Sequence, residues 1–191
     1  MSDDPLEFKL AYLSAMERAQ EEIMAPVLVS NGPCQEVVHT QDFDALAFTP
    51  SIQASLDDGG KYFQAAVVTK DPDTGERNMG VYRNMILNDN RTVINIRPEA
   101  HIGMHFRKAK ERNEPFPVAL IFGMDAEIYL SAVTKLPFGQ EEFALAGSLK
   151  GSPIELVKCK TIDLEVPASA NIVLEGVVEP PYDEEWEGPW P

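Results

Sequence analysis

An α+β fold, mainly antiparallel β with helices decorating a barrel, follows from three features of this sequence. Short β-branched stretches recur from residue 27 to residue 178, turn-forming residues separate neighbouring stretches closely enough for hairpins, and one helical segment precedes the series while two interrupt it. With 191 residues, 44% of them hydrophobic, the chain can bury a sizeable core and has the length of one domain.

Leu6, Leu10, Leu13, Met16 and Ala19 recur at helical spacing ahead of Pro26, which predicts an amphipathic helix over Leu6–Met24 that docks on the domain or on a neighbour. Strands are expected at Val27–Val29, Glu36–His39 and Tyr62–Thr69. The last leads into Asp71-Pro72-Asp73-Thr74-Gly75, a hairpin loop by its Pro and Gly content. A second hairpin pairs Gly80–Leu87 with Thr92–Arg97 across Asn88-Asp89-Asn90, residues that tolerate positive φ.

A helix over Ala100–Arg112, a strand over Pro117–Phe122 and a helix over Asp125–Val133, with Asp125 as N-cap, make up the middle. Strands are then expected at Glu142–Leu149, Ile154–Thr161 and Asn171–Val178. Residues 1–25 are thus expected as a helix, 26–180 as the barrel and 181–191 as an acidic linker, exposed or covered by a partner.

Sixteen Lys and Arg against 31 Asp and Glu give a net charge of −15, which argues against nucleic acid or an anionic membrane surface as partners. No apolar run approaches the roughly 18 to 20 residues that span a bilayer, and Met1–Pro5 lacks a basic start, so a soluble, cytoplasmic protein is expected. Cys34 and Cys159 fit no CxxC or disulfide framework and read as reduced core thiols.

Asp71, Asp73 and Gly75 open like a calcium loop, but its Gly comes one residue early and Tyr82 stands where the bidentate Glu belongs. His101 and His105 are four apart without the Glu of a zinc-protease helix. GxGxxG, Walker and GxSxG patterns are absent. In Asn78-Met79-Gly80-Val81-Tyr82-Arg83, strand alternation sends Asn78, Gly80 and Tyr82 to one face and Met79, Val81 and Arg83 to the other; by itself, an Arg in such a strand is usually a surface charge.

Several separated segments, in order, resemble the UbiD family of decarboxylases. They are Gly32–Val38, Thr69–Arg83, Pro115–Gly123, Ala146–Gly151, Val157–Cys159, Asp163–Gly176 and Glu187-Gly188-Pro189. The resemblance covers most of the chain after the first helix and implies an FMN-binding, split-barrel-like middle domain holding prenylated FMN, a divalent metal such as Mn2+, and K+. It implies Asn78, His101 and Glu142 as metal-linked residues, oxygen and imidazole donors that suit such an ion.

Val81, Tyr82, Arg83, Arg97, Pro98, Ile102 and Gly103 would line the cofactor. Arg83, a permanent planar cation, would grip a substrate carboxylate through two parallel hydrogen bonds, and Glu187 would help carry protons. The cofactor would supply the electron sink that loss of CO2 requires.

The family pattern continues past Gly188-Pro189 to a second carboxylate, and this sequence reaches Pro191 before it. A missing C-terminal domain or partner subunit is therefore expected, with the isolated chain weak or inactive and some tendency to self-associate. The resemblance implies a non-oxidative decarboxylase or carboxylase of aromatic or α,β-unsaturated acids. The alternatives are a non-catalytic flavin-binding or scaffold subunit and, with less support, an ordinary FMN oxidoreductase.

Overall fold

The computed structural model describes residues 4–40, 44, 49–88 and 90–189; Met1–Asp3, and Asp89 of the expected hairpin turn, lie outside them. Helix α1 spans Pro5–Glu21. Asp4 accepts the Leu6 N–H at 2.9 Å, and Pro5 sits in the first turn, where a helix has no use for the missing N–H. Strand β1 is short, Val27–Leu28.

The strand expected at Glu36–His39 does not form. Pro33 opens a 3₁₀ turn through Gln35, the Glu36 N–H bonds back to the Pro33 carbonyl, and Val37 and Val38 stay exposed with no strand beside them.

Strands β2 (Tyr62–Lys70) and β3 (Arg77–Asn88) form the first expected hairpin. Its loop is closed by the Asp73 N–H on the Asp71 carboxylate and by Gly75 at φ 74°, a left-handed conformation that favours glycine. Strand β4 (Arg91–Ile94) completes the second hairpin, with Asn90 at φ 66°. It stops short of the expected Arg97 because the chain turns through Arg97-Pro98 into helix α2, His101–Arg112.

Strand β5 (Phe116–Phe122) and helix α3 (Ala126–Ala132) follow as expected. Asp125 occupies the N-cap position, yet its carboxylate bonds Lys150 at 2.9 Å instead of a helix amide.

The stretch expected as a strand at Glu142–Leu149 is helix α4, Glu142–Lys150. Its apolar run, Phe143-Ala144-Leu145-Ala146, contains no β-branched residue and two alanines, and Gly151 ends it in the left-handed conformation at φ 76°. Strands β6 (Glu155–Lys158), β7 (Glu165–Pro167) and β8 (Ile172–Val178) close the order. Of the stripe expected on α1, Met16 and Ala19 are buried against Leu136 and Leu145, whereas Leu6, Leu10 and Leu13 are exposed because only the second half of the helix reaches α4.

Five strands in the order β4-β3-β2-β5-β8, each antiparallel to its neighbour, make a curled half-barrel sheet. A second sheet, β1-β6-β7, pairs β1 parallel to β6. Alternation divides the core. Ala66, Val68, Met79 and Ile121 pack with Ile128 of α3, Phe143 of α4 and Leu156 of the small sheet, while Phe63, Ala65, Val67 and Leu120 pack with Ile102 and Ala109 of α2.

No helix among the described residues is long and apolar enough to cross a membrane. Phe143 is fully buried where α4 meets the sheet, so Phe143→Ala is expected to cost about 3–5 kcal/mol of stability, read from urea unfolding.

Candidate active site

Strand β3 organises the site because its outer edge is only partly covered. Strand β4 pairs with β3 from Asn84 onward, and the Asn95 N–H reaches the Arg83 carbonyl at 3.2 Å. At the other end the Met79 N–H donates to the Glu142 carboxylate at 2.9 Å. Since every second residue of a strand points its N–H and C=O to the same edge, Val81 must aim both groups into the gap between these two contacts.

Glu142 is 4% exposed, and α4 brings it to this edge from its first turn. Burial pushes its carboxyl up to about 7, against the downward pull of the Met79 amide and its own. Asn78 is also buried, and its side-chain Nδ2 has no hydrogen bond.

Tyr82 lies across Gly80, where any Cβ would meet its ring at 2.7 Å. Its phenol is raised first by burial and then by the Glu142 charge; the nearby Asn78 side chain, Ile102 amide and Arg97 charge oppose this. The hydroxyl therefore gathers Asn78, Glu142, Arg97 and the start of α2 around one point.

Helix α2 enters with no side-chain cap, so its first amides face this point, and the N-terminal end of a helix favours negative charge. Gly103 lets α2 press against the Arg97 carbonyl and Pro98; a side chain there would overlap both. His101, the first residue of α2, is shifted to lower pKa by burial and then by Lys135, which favours the neutral ring a metal ligand needs. His105 does not join it. It is 3% exposed, 3.2 Å from the Thr69 hydroxyl and 3.8 Å from Asp71, and burial lowers its pKa to about 4.

Arg83 points to the opposite face of β3. Its Nη2 donates to Glu187 Oε2 at 2.8 Å, and its Nε comes within 2.8 Å of Oε1 outside hydrogen-bond alignment, leaving Nε and Oε1 buried without a hydrogen bond. Asn95 donates to Glu187 Oε2 at 3.0 Å, and the fully buried Tyr62 has its phenol raised by burial and then by the Glu187 charge.

The segment that carries Glu187 is packed on the domain. The Tyr182 hydroxyl donates to the Ala109 and Glu114 carbonyls, its ring stands edge-on to Phe106 at 5.3 Å, and the Gly59 N–H bonds the Pro189 carbonyl at 2.9 Å.

Two gatherings result. Asn78, Tyr82, Arg97, Pro98, Ile102, Gly103 and Glu142 meet around the open edge, with His101 one residue before Ile102 at the start of α2, while Arg83 and Glu187 pair on the other face, with Val81 between. Asn95 and Tyr62 were not legible as site residues, because cross-strand register alone delivers them to Glu187.

A cleft of about 1280 Å³, lined by residues such as Phe63, Val118 and Leu174, includes none of the candidate residues. Among the described residues no three His, Cys, Asp or Glu converge. A metal at the open edge would need the Asn78 amide as one donor. The donors present fit a divalent cation: the buried Asn78 can offer its amide oxygen, and Glu142 is a buried carboxylate that a cation would stabilise as its anion.

The pKa shifts of Glu142 and His105 oppose each other in stability. Glu142, raised from 4.5 to about 7, makes the fold lose stability as pH climbs through that window, by roughly 3 kcal/mol in full. His105, lowered from 6.5 to about 4, makes the fold gain stability as pH climbs between those values. In Glu142→Gln only the second contribution remains, so the metal-free variant should become more stable from about pH 4 to 6.5 and exceed the parent chain at pH 8, measured by urea unfolding across pH.

Comparison with known proteins identifies the family and the fold. The family model described as the 3-octaprenyl-4-hydroxybenzoate carboxy-lyase Rift-related domain matches residues 27–191. The UbiD-class enzyme HmfF from Pelotomaculum thermopropionicum, in an evolved dimeric form with prFMN, is 34% identical at a TM-score of 0.88, over 93% of this chain and 42% of its own.

Vanillic acid decarboxylase from Sedimentibacter hydroxybenzoicus, in its closed form, is 30% identical at 0.82, over 87% of this chain and 37% of its own. The 3,4-dihydroxybenzoic acid decarboxylase AroY from Klebsiella pneumoniae is 27% identical at 0.77, over 86% and 36%. This chain therefore spans about two fifths of the length of these relatives. A family model matched across 27–191, on a half-barrel whose outer strand edge carries the candidate residues, identifies the chain as a member of the UbiD family.

Proposed function

We propose that this chain is the flavin-binding portion of a non-oxidative decarboxylase or carboxylase that acts on aromatic or α,β-unsaturated carboxylic acids. The observation that carries it is the unfilled edge of β3: Val81 backbone groups with no strand opposite among the described residues, beside the buried side chains of Asn78 and Glu142. Such an edge suits a flat heterocycle with hydrogen-bonding rims, and HmfF, a relative of the same class, carries prFMN.

Asn78, His101 and Glu142 would hold a divalent ion such as Mn2+, and the uncapped start of α2 would receive the cofactor phosphate. Prenylated FMN would supply the electron sink for the carbon that loses CO2.

Arg83 would orient the substrate carboxylate through its guanidinium, which stays partly exposed while paired with Glu187. Glu187, held against Arg83, would exchange a proton with the reacting carbon or with an intervening acid. The acid-binding pocket and any further proton donor would come from parts of the relatives' chains that this one does not match, supplied in the same polypeptide or by a partner subunit.

Native mass spectrometry after co-expression with a flavin prenyltransferase and Mn2+ tests the reading. The chain should retain prenylated FMN, Glu142→Ala should lose it, and Arg83→Ala should retain it while weakening benzoate binding about tenfold or more. Retention of flavin by Glu142→Ala would remove the metal-linked site, and no retention by any form would favour the scaffold alternative.

A further inference from the structure

The turn that leads into Glu142 also reaches His101. Pro137-Phe138-Gly139-Gln140 closes with the Gln140 N–H on the Pro137 carbonyl at 3.1 Å, and Gly139 at φ 85° turns the chain toward α4. Phe138 projects from this turn, 45% exposed, yet meets the imidazole of His101 edge-to-face at a centroid distance of 5.2 Å and an interplanar angle of 88°. It also stands 5.9 Å from the His105 ring and beneath Lys108 at 5.9 Å.

A histidine that binds metal ordinarily has its second ring nitrogen held by a carboxylate, a carbonyl or water, which fixes the ring plane. Among the described residues no protein group hydrogen-bonds the His101 ring, in contrast to His105, which meets Thr69. The Phe138 ring is the aromatic neighbour that lies against the His101 ring. Its perpendicular geometry is the favoured one for two aromatic rings, and such contacts contribute beyond simple burial.

We infer that Phe138 is a positioning residue that sets the ring plane of His101 for metal binding, and that it couples the two candidate ligands by lying four residues before Glu142, in the turn that leads into α4. This rests on the assignment of His101 to the metal. Because Phe138 is half exposed, its replacement should leave the fold intact.

The test compares Phe138→Leu, which keeps apolar bulk without a ring, with Phe138→Tyr, which keeps the ring. His101 ring resonances are followed by NMR in the metal-free chain, Mn2+ affinity by electron paramagnetic resonance with FMN present, and the unfolding midpoint as a control. Phe138→Leu is expected to shift and broaden the His101 signals and weaken Mn2+ binding roughly 3- to 10-fold at an unchanged unfolding midpoint, with Phe138→Tyr close to the parent chain. Unchanged His101 signals in Phe138→Leu, or a Tyr variant as impaired as the Leu variant, would overturn the inference. If the parent chain bound no Mn2+ while the His101 signals still followed the ring at 138, the ring-setting role would stand and the metal assignment would fall.

Discussion

The hydrogen bond from the Met79 N–H to Glu142 is the contact on which the rest of the site depends. A strand edge abandoned by its neighbour leaves backbone amides that must find acceptors, and a carboxylate buried at 4% exposure must find donors. Each supplies the other. The result joins α4 to β3 but leaves the carboxylate short of compensating charge, which is why its pKa rises to about 7 and why the place suits a cation. Arg77 reinforces the junction by pairing with Glu141, immediately before Glu142, and with Glu165 of β7 at 3.1 Å.

From that junction the strand distributes three consecutive residues in three directions. Val81 offers its backbone to the open edge, Tyr82 lies over Gly80 toward α2, and Arg83 crosses to the opposite face to meet Glu187. A pleated strand makes this separation unavoidable, and it lets one strand serve both a cofactor edge and an acid-binding cation. The chain is acidic as a whole, at −15, yet Arg97 stands beside the open edge and Arg83 on the other face of the same strand. Local placement, not net charge, sets the field that an anionic cofactor or substrate would meet.

Much of the scaffold was legible because its signals are local. The two hairpins announce themselves through Asp71–Gly75 and Asn88–Asn90, and α2 through its composition up to Arg112; all three formed where expected. Glu142–Leu149 misled because an unbroken apolar stretch of that length fits a buried strand as well as a buried helix, and the missing β-branched residues were the discriminating feature. Glu36–His39 misled in the reverse sense: two valines favour a strand, but β-structure needs a partner and none is adjacent.

Sequence alone determined the family, the order of most elements and the candidate residues of β3, since motif residues and turn residues act within a few positions of one another. Tertiary structure decided what those residues face. That Met79 finds Glu142, that Asn95 and Tyr62 converge on Glu187, and that Phe138 stands against His101 all depend on strand register, helix docking and the path of a packed C-terminal segment. These contacts join residues separated by 37 to 125 positions, so only the assembled core fixes their distances and the charge each carboxylate feels.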